Sequence, residues 1–223
     1  MPAITGYRPK RHRWGCCFLV ELDGEPWAEI PDEMMVKRRL TRGQELSSSE
    51  AAEIFREAHA LIARLRLAHY LAGRLRTREQ ARLYALRKLE VAEDEAAALA
   101  DWAVERGLID DRVFAQAKAR QVKRLGKSGP RQASAKLRGA GVDRETAAEA
   151  IQAAALTDRE GQLQSCLALL AGRAKRWSDL EPLQRKRRAS AFLARRGFES
   201  DPIRQALESA ERSGMFQRSE ESE

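Results

Sequence analysis

The chain has 223 residues, 43% of them hydrophobic and 6% aromatic, with 41 Lys and Arg against 33 Asp and Glu, a net charge of +8. That length suits one or two domains of roughly 100–200 residues, and the plentiful Ala, Leu, Arg and Glu predict a mainly helical protein. No window approaches the ~20 apolar residues of a membrane span, the N-terminus lacks a signal-peptide cleavage pattern, and three cysteines make neither a disulfide framework nor a metal-ligand pattern, so a soluble, cytoplasmic chain without membrane contact is expected.

The N-terminal segment differs from the rest. In WGCCFLVELDGEPWAEI, Trp14 to Ile30, two apolar runs flank Asp23-Gly24, where glycine accepts the positive φ of a tight turn. The pattern predicts a β-hairpin over residues 13–30 and a short helix through PDEMMVKRR. A lone hairpin is marginal in water, so it must pack on something else. From Ser47 onward the signals are helical. Ser47 with Glu50, and Thr77 with Gln80, have capping-box spacing, in which each side chain satisfies the other's orphan backbone N–H. The first opens a long helix, the second a helix through ARLYALRKLEV. EDEAAALADWAVERG follows and stops at Gly107, a suitable C-terminal cap.

The same three-part pattern returns twice. One unit runs from DDRVFAQAKARQVKRLG through SGPRQASAKLRGAG to a helix starting at Asp143. The next reads DREGQLQSCLALLAGRAKRW, SDLEPLQRKRRASAFLARRG and SDPIRQALESAE, with Gly197-Phe198 echoing Gly141-Val142. We therefore predict a β-hairpin extension over 1–46, three-helix repeats over 47–109, 110–156 and 157–211, and a polar, disordered tail over 212–223. The expected fold is mainly α, tandem three-helix repeats in an elongated arrangement.

Gly126-Lys127-Ser128 has the form of the tail of a nucleotide phosphate loop. Such a loop needs a glycine five positions before its Gly-Lys, after an apolar strand. Position 121 is Gln, and a basic amphipathic helix precedes it. Gly126 therefore reads as a helix stop, Ser128 as an N-cap and Pro130 as a first-turn residue whose missing N–H costs nothing. Ser178, Glu181 and Pro182 form an equivalent joint in the third unit. No cofactor is implied.

No catalytic or metal-binding set assembles either. His12, His59 and His69 are the only histidines, and the last two fall on a charged helix where exposure is expected. Asp110-Asp111 suits a divalent cation or, better, the cap of the helix after Gly107. Trp102, Phe114, Leu125, Leu137, Trp177, Phe192 and Phe198 are the expected core.

Charge says more. Between Val113 and Val142 there are eight Lys or Arg residues and no acid. At helical periodicity Phe114, Ala117, Val122 and Leu125 share one side, with Arg112, Arg120, Lys123 and Arg124 largely opposite. Arg131 and Arg138 share a face of the next helix, and Arg188 and Arg195 repeat that interval within the third unit. One basic helix is most simply a solvated face. An acid-free stretch across two helices, echoed one unit later, favours an anion-binding face. With few aromatics interleaved, phosphate contact outweighs base stacking.

GLIDDRVFAQA, Gly107 to Ala117, with the basic KARQVKRLGKSGPRQASAKLRGAGV after it, resembles the central repeat of the RecX family, regulators of the RecA recombinase. RGFESDPIRQAL and the N-terminal hairpin segment are similar too, so the resemblance spans residues 13–210. It implies three tandem repeats in a curved body that binds along the groove of a RecA–single-stranded DNA filament. There it would limit filament extension, ATP hydrolysis, strand exchange and repressor cleavage, by occupancy rather than by catalysis. The residues expected to meet DNA phosphates or acidic groups of the filament are Arg120, Lys123, Arg124, Lys127, Arg131 and Arg138, with Arg187, Arg188 and Arg195 as a second patch. The expected partners are RecA and single-stranded DNA, with duplex DNA a further candidate, and the chain is expected to act as a monomer. Two alternatives stay open: a stand-alone basic DNA-binding protein, and a helical scaffold for an acidic protein.

Overall fold

A computed structural model describes residues 1–217 and divides the chain into two compact units, one ending at Asp110 and one starting at Asp111. The first unit opens with an antiparallel sheet in the order β1 (Ile4–His12), β2 (Gly15–Leu22), β3 (Glu25–Pro31). The β2–β3 turn sits where expected, with Asp23 at φ 49° and Gly24 at φ 88°. The expected two-stranded hairpin is, however, a three-stranded sheet. ITGYRPKRH hides its strand character behind Pro9 and a run of cations, and an edge strand tolerates both.

One face of this sheet is apolar. Val20, Ala28 and Ile30 pack with Ile4 against Met34 and Met35 of α1 (Asp32–Lys37) and Ile54 and Ala58 of α2 (Ser48–Ala72). The α2 capping box forms as predicted: Ser47 Oγ accepts from the Glu50 N–H at 3.2 Å, and the Glu50 carboxylate accepts from the Ser47 N–H at 2.8 Å. Thr77 and Gln80 open α3 (Arg78–Tyr84) in the same way. Then the helix departs from expectation. Ala85–Leu89 forms one π-helical turn and ends at Glu90 in the left-handed region, φ 59°. After it α4 (Glu93–Glu105) runs to Gly107, φ 68°. Ala81, Ala85, Ala96, Ala100 and Ala103 are all fully buried beside Leu67, so small side chains let these helices approach closely.

The second unit holds two further three-helix groups, each with its own core. In one, α5 (Asp111–Leu125) and α6 (Pro130–Gly139) pack on α7 (Arg144–Ala153), which Asp143 caps by accepting from the Thr146 N–H. In the other, α8 (Arg159–Ala171) and α10 (Pro182–Arg195) pack on α11 (Ser200–Arg212). A four-residue helix, α9 (Ala174–Trp177), replaces the expected continuation of α8 and drops Trp177 between Phe192 and Phe216. Phe216 is 3% exposed, so the stretch to Gln217 is packed rather than disordered. The rest of the predicted tail lies outside the described residues.

Of the predicted core, Leu137, Trp177, Phe192 and Phe198 are buried, and Trp102 and Phe114 pack at core edges. Leu125 is 53% exposed. The buried stripe of α5 runs instead through Ala115, Ala119 and Val122, and Leu125 falls well off that line.

The Gly-Lys-Ser segment is a joint, and its capping is simpler than predicted. Gly129, not Ser128, is the N-cap of α6; the Ser128 hydroxyl instead donates to Gln132. Glu181, not Ser178, precedes α10, and both helices have Pro at their first turn. The start of α6 is docked on the end of α10. The Gly129 N–H donates to the Arg196 carbonyl at 2.8 Å, the Arg131 N–H donates to the Gly197 carbonyl at 3.1 Å, and Arg196 returns a guanidinium bond to the Lys127 carbonyl at 2.7 Å. The orphan donors of one helix thus meet the orphan acceptors of another. Neither glycine leaves room for a side chain. A methyl on Gly129 would stand 2.6 Å from Phe198 Cα, and one on Gly197 would stand 2.8 Å from Gln132 Cβ at a backbone φ of +80°.

This packing has two measurable outcomes. Gly197→Ala combines left-handed strain with overpacking and should destabilise the second unit by at least about 2 kcal/mol, read as a lowered denaturation midpoint; unchanged stability would mean the joint separates freely. The thiols give the other. Cys16 is exposed. Burial, aided by the Glu29 and Asp32 carboxylates, pushes Cys17 up to about 11, and burial alone pushes Cys166 up to about 12. A maleimide should label one thiol in the native chain and three after denaturation. Since unfolded thiols ionise near 9.0, these two favour the folded state fully below that pH, and their contribution should fade as pH rises toward 11–12.

Candidate nucleic-acid interface

The nine predicted cationic residues all lie in the second unit and all have exposed side chains. Arg120, Lys123 and Arg124 stand on α5, Lys127 in the joint, Arg131 and Arg138 on α6, and Arg187, Arg188 and Arg195 on α10. None of them forms an ion pair among the described residues, where acids neutralise Arg112 and Arg204 instead. Lys123 also has a structural role, since it donates to the Ala155 carbonyl at 2.8 Å and ties α5 to the loop after α7. Ala155 holds a φ of 50°, so this bond secures a bend a non-glycine residue adopts reluctantly.

The joint also bears on the α6 patch. In a phosphate loop the first N–H groups of the helix would face an anion. Here the Gly129 and Arg131 N–H groups already face carbonyls. Any anion contact on α6 would therefore fall to side chains, and Arg131 and Arg138 stand exposed seven residues apart on that helix.

The α10 patch is the denser one. Arg187, Arg188 and Arg195 line a groove of about 360 Å³ with Arg173 and Arg176, which helical periodicity does not single out. Trp177 and Phe192 line it as well, and the Arg173 and Arg196 guanidinium groups lie 4.4 and 4.7 Å from the Phe192 ring centre. Five arginines, none ion-paired among the described residues, thus surround two aromatic side chains. Stacking on Phe192 holds Arg173 and Arg196 in place without neutralising them. The missed signal was GRAKRW, where a glycine and three cations interrupt the apolar period after Leu170.

A second grouping also escaped the sequence. His12, Cys17 and Glu29 offer ligand-type atoms within 4.8 Å of one another, from three neighbouring strands. Sequence spacing hides this because strand pairing, not periodicity, brings them together. Lys10 and His12 hold the two Glu29 oxygens, the latter at 3.0 Å, and keep the Glu29 carboxyl below its usual range against the opposing effect of burial. With the Cys17 thiol protonated, the cluster acts as an ionic clasp across the sheet.

Comparison with known proteins agrees with this architecture. The family model described as RecX, second three-helix domain, matches residues 110–151, and that for the third three-helix domain matches residues 160–207. The regulatory protein RecX of Enterococcus faecalis is 27% identical over 210 residues, covering 92% of this chain and 74% of its own. That of Levilactobacillus brevis is 29% identical over 182 residues, covering 82% and 67%. A crystal structure of regulatory protein RecX superposes with a TM-score of 0.71 at 19% identity, over 93% of this chain and 100% of that one. RecX from Lactobacillus salivarius superposes with a TM-score of 0.59 at 22% identity, over 69% and 97%. Two consecutive RecX domain models match the second unit in order, and RecX regulatory proteins align along most of the chain, so it is similar to the RecX family over most of its length.

Proposed function

We propose that the chain modulates the RecA recombinase by occupancy, binding in the groove of the RecA–single-stranded DNA filament and limiting its extension and ATP hydrolysis. The observation that carries this reading is the set of cations on α5, α6 and α10 that form no ion pair among the described residues, together with Arg173 and Arg176, which bring the arginines lining one groove around Trp177 and Phe192 to five. A merely solvated surface mixes signs, because like charges left together repel. A filament coated with phosphates and acidic side chains supplies the missing counter-charge, and its binding releases condensed counterions. The similarity to RecX regulatory proteins supplies the identity of the filament. No chemical step is assigned to the chain: it competes for surface.

The test is RecA ATP turnover on single-stranded DNA. The chain should lower turnover at substoichiometric amounts. Arg131→Glu with Arg138→Glu, and separately Arg187→Glu with Arg188→Glu, should each raise the half-inhibiting concentration by about tenfold with unchanged helicity. No inhibition at saturation rejects the proposal. Sequence-selective duplex binding in the absence of RecA would make the chain a stand-alone DNA-binding protein instead.

A further inference from the structure

The first unit carries a site of its own. Where α2 ends and α3 gives way to the π turn, Arg66, Arg74, Arg76, Arg87 and Lys88 line a groove of about 590 Å³ with no acid among its lining residues. Tyr70 and Tyr84 lie in the same groove, stacked with ring centres 3.9 Å apart and planes 8° from parallel. The Arg76 guanidinium stands 4.1 Å from the Tyr70 ring centre. Its Nε is shut off from solvent and makes no hydrogen bond. None of the five cations forms an ion pair among the described residues, although the same helices pair Arg78 with Asp101 and Arg82 with Glu79 and Glu93. Acids are thus within reach of this region and are used elsewhere.

The backbone supports the arrangement. The π turn keeps Ala85 and Leu89 in the core while Arg87 and Lys88 are exposed on the groove. Such turns are uncommon and concentrate at functional sites. Arg66 crosses from α2 to donate to the Lys88 carbonyl at 2.9 Å, pinning the turn to the groove wall.

Stacked aromatic rings beside several free cations match a chain of bases joined by phosphates. Tyr70 is covered by Tyr84 on one face and by Arg76 on the other, so Tyr84 is the ring placed to meet a base, while the phosphodiesters find positive charge. An acidic peptide would use the cations and leave the tyrosines idle; a mononucleotide would leave most of the cations idle. We propose that this groove is a second binding site, separate from the basic surfaces of the second unit, that takes a short run of single-stranded DNA by base stacking and phosphate contact. The proposal does not rest on filament modulation.

The experiment uses the full chain without RecA and a fluorescein-labelled oligo(dT), read by anisotropy. Arg74→Ser, Arg87→Ser and Lys88→Ser together should weaken binding at least about tenfold and flatten the log K versus log salt slope by about 2, as expected for loss of three contacts on a single strand. Tyr84→Leu, which keeps bulk in the core edge but removes the π-face, should weaken binding about fivefold with little change in salt slope. An abasic oligomer of equal length should bind the wild type about as weakly as oligo(dT) binds Tyr84→Leu. Wild-type affinity in the triple-serine variant overturns the proposal, as does equal affinity for polyglutamate or for thymidine monophosphate. A thermal melt confirms that each variant is folded. Because RecA is absent and the second-unit arginines are unchanged, failure here is read separately from failure of the ATPase assay.

Discussion

Much of the second unit depends on one backbone interaction, the docking of the α6 N-terminus on the last carbonyls of α10. A helix start and a helix end each leave backbone groups unsatisfied, and burying either alone is costly. Here the Gly129 and Arg131 N–H groups take the Arg196 and Gly197 carbonyls, so each end solves the other's problem. The opposite partial charges of the two helix ends add to the attraction. The approach is close enough that only glycine fits at 129 and 197. Two consecutive repeats are thereby fixed to one another, and the cationic residues of α6 and α10 are held on a common frame.

Much of this was legible in the sequence. Capping boxes at Ser47 and Thr77, the stop at Gly107 and the Asp143 cap all formed as their spacing requires, because capping is local and depends on residues three apart. Features set by distant partners were harder to read. Strand β1 was hidden because its neighbour, not its own composition, makes it a strand. Ser128 looked like an N-cap, yet the carbonyls that satisfy α6 come from some seventy residues away. Leu125 was placed in the core by a helical phase that the alanine stripe of α5 rotates away from it.

The candidate sites divide in the same way. The acid-free stretch on α5 and α6 was visible as composition, and its six predicted contact residues stand exposed and without ion pairs among the described residues, Lys123 also bonding the Ala155 carbonyl. The arginine groove on α10 was visible only in part. Arg173 and Arg176 join it because the chain breaks after Ala171 and turns back, which no periodicity announces. The tyrosine groove of the first unit was invisible, since Tyr70 and Tyr84 come from different helices and meet only through packing. Cationic surfaces in this molecule are thus written locally, while aromatic partners arrive through tertiary structure.

The π turn at Ala85–Leu89 has a consequence for relatives. A π turn is an α-helix carrying one surplus residue, so losing a single amino acid there would restore regular winding and swing everything beyond the lesion by about 100° around the axis. Core and groove could not both survive that rotation, since Leu89 and Lys88 lie on opposite sides of the wall. Homologous chains should therefore differ in steps: those that keep the insertion keep both tyrosines and the cations together, and those without it lose the set at once rather than residue by residue.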